Sequence, residues 1–174
     1  MSPSRSRAPL ALVSIPSASL HALRGALAAD LGAAAASYLQ EAGYGGGMEL
    51  LEAFRAWVHE REDLSPEELP LPVFQELLSA FFVELGWGTL RVESVGGAVA
   101  AIDAEQWAEA ESVGELAHPG CFFTSGLFAG LLGSLAEQPL AVLEVECRST
   151  GASRCRFLVG SAPVMDHVYD SMQH

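Results

Sequence analysis

Apolar and polar positions recur along this chain in two rhythms, one of three and four residues and one of two, and these rhythms predict its elements. Ala11 to Ile15 is a short apolar run that reads as a buried strand. Ser17 or Ser19 then suits a helix N-cap, and Leu20, Leu23, Leu27, Leu31, Ala35 and Leu39 continue at helical spacing. The pattern predicts one long helix, with Ala33 to Ala36 as a close packing face and Gly43-Tyr-Gly-Gly-Gly47 as its break. A second helix spans Met48 to Glu60, its stripe formed by Leu50, Leu51, Phe54, Trp57 and Val58. Ser65 to Pro72 holds three prolines and connects to a third helix, Val73 to Leu85. The Ser-Pro-Glu-Glu start of that connector suits a short helical turn.

Past Gly86-Trp87-Gly88 the rhythm shortens. Leu90 and Val92 alternate with Arg91 and Glu93, which predicts a half-buried strand over Thr89 to Val95. Gly96-Gly97 turns it into a second strand, Ala98 to Ile102. Asp103 to Val113 suits either a helix or an edge strand. A helix follows over Phe122 to Ala136, and Gly126, Gly130 and Gly133 let another element approach its backbone. Strands Leu140 to Cys147 and Cys155 to Val159 flank a turn at Gly151, and Ala162 to Met172 is a final helix. The expected fold is α+β, helices packed on an antiparallel sheet, with residues 1–10 a disordered tail and 11–174 one domain.

Twenty-two acidic residues against nine basic ones leave a net charge of −13. Such a surface repels phosphate backbones and anionic bilayers, which excludes nucleic acid and membrane surfaces as partners. No apolar run reaches the roughly 18 residues of a membrane span, and the basic start lacks an export leader's pattern, so a cytoplasmic location is expected. In that reducing setting three cysteines point to metal binding or to burial as small hydrophobes, not to disulfides.

Cys121 opens a helix, Cys147 ends one strand, and Cys155 begins the strand that pairs with it. Two thiolates on a hairpin and one at a helix start suit a tetrahedral ion, with Glu144, Glu146 or His118 as the fourth ligand. Glu144 and Cys147 point to opposite faces of an ideal strand, so joint ligation by them requires a bend or bulge. Trp87, Trp107, Phe81, Phe82, Phe122 and Phe128 either fill the core or line an apolar pocket, with Trp107 the best pocket candidate because its neighbours are polar. Glu109 and Glu111 either line that pocket or are solvated, and His21 and His167 are expected on helix surfaces.

The segment Pro119-Gly-Cys-Phe-Phe-Thr-Ser-Gly-Leu-Phe-Ala-Gly-Leu-Leu132, then Glu144-Val-Glu-Cys147, then Gly151-Ala-Ser-Arg-Cys-Arg-Phe157, resembles the 4-vinyl reductase domain family. Gly86-Trp87-Gly88 and Ala108-Glu-Ala-Glu111 look like that family too. The resemblance implies the α/β fold shared with small subunits of the TRAPP tethering complexes and with the sensor modules of phenol- and toluene-type activators. It implies a structural zinc held by Cys121, Glu144, Cys147 and Cys155. Neither His59 nor His118 matches the context of the histidine that holds the phenolic hydroxyl in phenol sensors. The implied ligand class is therefore a small hydrophobic or aromatic molecule. Three functions follow as expectations: a non-enzymatic sensor acting through a separate output protein, a homodimeric TRAPP-subunit-like scaffold paired through its helices, and a tetrapyrrole-pathway carrier or reductase-associated protein. The sequence holds no glycine-rich nucleotide motif that would supply a reductase cofactor.

Overall fold

The computed structural model describes residues 12–96, 98–110 and 118–172. Four helices come first: α1 (Ser17–Leu31), α2 (Ala35–Gly45), α3 (Gly47–Glu62) and α4 (Leu71–Glu84). Strands β1 (Thr89–Gly96) and β2 (Val99–Glu105) form a hairpin, followed by a 3-10 turn at Ala108–Ala110. Helix α5 (Phe122–Leu135), strands β3 (Ala141–Glu146) and β4 (Cys155–Gly160), and helix α6 (Ala162–Met172) complete the chain. All strand pairs are antiparallel and the sheet order is β1-β2-β4-β3. This is the α+β architecture that the alternating rhythms predict.

Strand alternation divides the sheet chemically. Ile102, Ala104, Cys155 and Phe157 are buried beneath the helices, and Leu90 and Val92 extend the same face through their register partners Ala104 and Ile102. The aromatic rings predicted to be core or pocket form a continuous stack there. Trp107 is fully buried, with Phe82, Trp87 and Phe128 centred 5.5 to 5.7 Å away. Phe81 packs on Phe54, Trp57 and Phe82, and Phe122 is half-buried at the first position of α5.

Glycines set how closely α5 can be approached. A Cβ at Gly126 would overlap the Gln40 carbonyl of α2, and one at Gly130 would press on the Tyr44 carbonyl. From the α2 side, a Cβ on Gly43 would overlap the Phe123 carbonyl. The glycine-rich face expected to suit a dimer is thus consumed inside the monomer by α2 and α3.

Several boundaries differ from the sequence reading. Residues 12–16 are extended but join no strand, and Leu12, Val13 and Ile15 are exposed, since no sheet edge lies alongside to pair them. The single long helix is two, because Gly32 takes φ +57 and a 3-10 turn carries the chain to Ala35. The Gly43–Gly47 segment interrupts helix only at Gly46, α2 running to Gly45 and α3 starting at Gly47. Helix α4 begins at Leu71, using Pro72 within its first turn. Asp103 to Glu105 continues β2 before the 3-10 turn, and Glu111 to Val113 and residues 1–10 lie outside the described residues.

Candidate metal centre

Cys121 is the N-cap of α5, Cys147 follows the last residue of β3, and Cys155 is the first residue of β4. All three side chains are fully buried and unbridged. Cys121 Sγ stands 3.8 Å from both other sulfurs, and Cys147 and Cys155 are 4.0 Å apart. Glu144 joins them: one donor atom from each of the four residues lies within 4.8 Å of all the others. A register shift between Glu144 and Glu146 bends β3 at the place where an ideal strand would have turned Glu144 and Cys147 apart.

The two other candidate ligands stand elsewhere. Glu146 pairs with Arg154 at 3.3 Å, and His118 is exposed and outside the four-residue group.

The donor set can be tested against a metal on its own geometry. Thiolates about 2.3 Å from a tetrahedral ion stand ~3.8 Å from one another, and the three sulfur separations match that edge. Glu144 Oε2 accepts the Cys121 N–H at 2.7 Å, while Oε1 is buried with no hydrogen-bond partner. An unpaired carboxylate oxygen beside three sulfurs costs free energy unless a cation completes it. Burial and the neighbouring Cys147 raise the Glu144 carboxyl to about 8. The sulfur contacts drive Cys121 upward and Cys147 downward, and Cys155 is pushed up to about 12, its bond with Cys121 opposing the Cys147 contact and burial. The cluster alone thus tolerates one negative charge but resists the next. The Arg148 N–H donates to Cys155 Sγ at 3.5 Å, a contact that suits a thiolate acceptor. Three sulfurs and one oxygen, all buried, fit a borderline-soft divalent ion.

A second buried network supports the same helix end. Glu109 Oε1 accepts the Phe123 N–H at 3.1 Å, and Oε2 accepts the Thr124 N–H at 2.8 Å and the Thr124 hydroxyl at 2.6 Å. Trp107 Nε1 donates to Thr124 Oγ1 at 2.8 Å. Burial pushes the Glu109 carboxyl up, against the pull of the Arg24 guanidinium and of Thr124. Arg24, from α1, lies 3.4 Å from Glu109 and donates to its carbonyl and to that of Gly120, at 2.6 Å for the latter. His21 contacts the Ala108 carbonyl at 2.6 Å. Glu109 is therefore neither solvated nor aimed at open space, and His21 is a tether instead of a surface group. The sequence did carry one sign of this: Arg24 is an isolated cation on the body-facing side of an apolar helix.

Residues 101–161 match the 4-vinyl reductase domain family, a span that holds Glu109 and all four cluster residues. No curated protein matches the chain. Among solved structures, the chain is similar to the phenol-responsive sensory domain of the transcription activator PoxR, solved with phenol, at 19% identity and TM-score 0.68, covering 86% of this chain and 76% of that one. It is also similar to a vinyl-4-reductase family protein from Methanocaldococcus jannaschii, at 20% identity and TM-score 0.56, covering 86% and 83%. A third is trafficking protein particle complex subunit 3 from Naegleria fowleri, covalently bound to palmitic acid, at 18% identity and TM-score 0.58, covering 83% and 93%. These likenesses establish a shared fold. No helix among the described residues is long and apolar enough to cross a membrane.

Proposed function

From the family match and the shared fold, we propose that this chain is a non-enzymatic sensor module that carries one structural zinc and binds a small hydrophobic or aromatic molecule. The observation that carries the reading is the buried meeting of Cys121, Glu144, Cys147 and Cys155 at tetrahedral spacing. With four protein donors the ion has no open position for substrate, so its role is structural. It ties the start of α5 to the β3–β4 hairpin. The residues themselves supply the rest: Glu144 orients the first N–H of α5, and Glu109 and Thr124 hold the next two.

The ligand reading draws on the aromatic stack. Trp87, Trp107, Phe81, Phe122 and Phe128 are the residues proposed to admit the ligand, by rearrangement of rings that now contact one another. PoxR's sensory domain, which has this fold, was solved with phenol, and phenol is therefore the first probe. A module of this kind signals through a separate output protein, and we place it in the cytoplasm on the reducing conditions that free thiols need.

Two measurements test the reading. Native mass spectrometry of the purified chain should report one zinc per chain, and tryptophan fluorescence should change saturably with phenol or a methyl-substituted benzene. A metal-free, well-folded protein would reject the zinc, and a fluorescence flat across that panel would reject the ligand class.

A further inference from the structure

Strand β1 is an edge of the sheet, and its free side is not sealed along its length. Leu90 N–H donates to Ser79 Oγ of α4 at 2.9 Å instead of to β2. On an antiparallel strand the backbone groups of alternate residues point to the same side, so those of Val92 and Ser94 also face away from β2, up to the register shift before Gly96. Helix α4 covers the edge only near Leu90. Beyond it a groove of roughly 700 Å³ opens between α4 and β1, walled by Ser79, Ala80, Val83, Leu90, Arg91 and Val92. An open edge with room beside it is a pairing template.

Charge selects the occupant. Arg24, Arg55, Arg61, Arg154 and Arg156 each hold a carboxylate at 3.4 Å or closer. Arg91 is 79% exposed and only loosely placed, 3.9 Å from Glu93. On a chain of net charge −13, this outward cation on an open edge fits an acidic partner. The same edge of a second copy is such a partner. Two β1 strands set antiparallel about Val92 place Arg91 opposite the other copy's Glu93, twice, and Leu90 opposite Ser94. Arg91 and Glu93 occupy the same face of the strand, so both pairs form on one side of the joined sheet.

We infer that two copies of this chain join edge to edge through β1, with Val92 on the two-fold axis, forming one continuous eight-stranded antiparallel sheet of twice the four observed strands. Backbone pairing at Val92 and from the Ser94 N–H to the Leu90 carbonyl provides register, and the crossed Arg91–Glu93 pairs resist slippage. The contact lies on β1, outside the sulfur cluster, and does not depend on the sensor reading. Its failure would leave metal and ligand binding untouched, and theirs would leave it untouched.

Sedimentation velocity over a concentration series, on the whole chain, tests the inference. The expected result is a dimer of the 18.4 kDa chain. Arg91→Glu should weaken its dissociation constant by about tenfold or more, because it sets like charges across the two-fold, while Arg91→Lys keeps the dimer. Val92→Pro removes the outward N–H and should give a monomer with an unchanged circular dichroism spectrum. Should the proline variant misfold, hydrogen exchange of the unmodified chain serves instead, with Val92 and Ser94 amides protected in the dimer and losing protection on dilution. A monomer at every concentration overturns the inference. So does a dimer indifferent to Arg91→Glu, or one lost instead when exposed Leu23 of α1 is changed to Glu.

Discussion

Replacing Cys155 with serine leaves a hydroxyl where a thiolate is needed, and it strands Cys121 and Cys147 in a buried site beside Glu144. Metal-coupled folding then predicts loss of the ion and destabilisation by several kcal/mol, read as a fall in melting temperature together with metal content. Thr124→Val tests the neighbouring network. It removes the acceptor for Trp107 Nε1 and a donor to Glu109, both fully buried, and should cost about 1–3 kcal/mol by denaturant titration without releasing metal. The cysteines were legible in sequence as three candidate ligands because each stood at an element boundary. The fourth donor was not, since strand alternation alone separates Glu144 from Cys147, and only the register shift brings them to one side. Glu109 was illegible for a different reason. A Glu in a polar stretch reads as solvated, and its burial depends on Arg24, eighty-five residues earlier.

At the scale of elements, the packing of α2 on α5 rests on missing side chains. Gly126→Ala would drive a methyl into the Gln40 carbonyl, backbone against which no rotamer change helps. About 1–3 kcal/mol of destabilisation, or more, should appear in denaturant titrations. Glycine spacing on α5 did announce a close approach, but not which element makes it, because periodicity describes one helix face and says nothing of its partner. Helix α3 and the Pro66–Glu68 turn are joined by Arg55, whose guanidinium contacts Glu67. Burial acts upward on the Glu67 carboxyl and the Arg55 hydrogen bond downward, and the net result is a lowered pKa. The contribution is therefore present above the ordinary carboxylate range and lost as pH falls through the folded value. Because the pair is about one-third exposed it is small, at most ~0.5 kcal/mol, and Glu67→Gln should flatten the acid side of the stability profile by that amount. The errors in element boundaries share a cause: Gly32 and residues 12–16 are decided by what lies beside them, not by their own apolar rhythm.

Across the whole molecule, one cluster joins segments that the chain separates. The start of α5, the end of β3 and the start of β4 meet at four side chains, and those segments support the wall of the aromatic stack through Phe128 and Phe157. Chelation should consequently lower the melting temperature of the entire domain, and added zinc should restore it by binding only the folded state. The central claim concerns the identity and arrangement of the donors, which X-ray absorption at the zinc edge of the purified protein reads directly. Three sulfurs at about 2.3 Å and one oxygen at about 2.0–2.2 Å are predicted, with the oxygen shell altered in Glu144→Gln. A shell of nitrogen and oxygen alone, or a spectrum unchanged by that substitution, would contradict it.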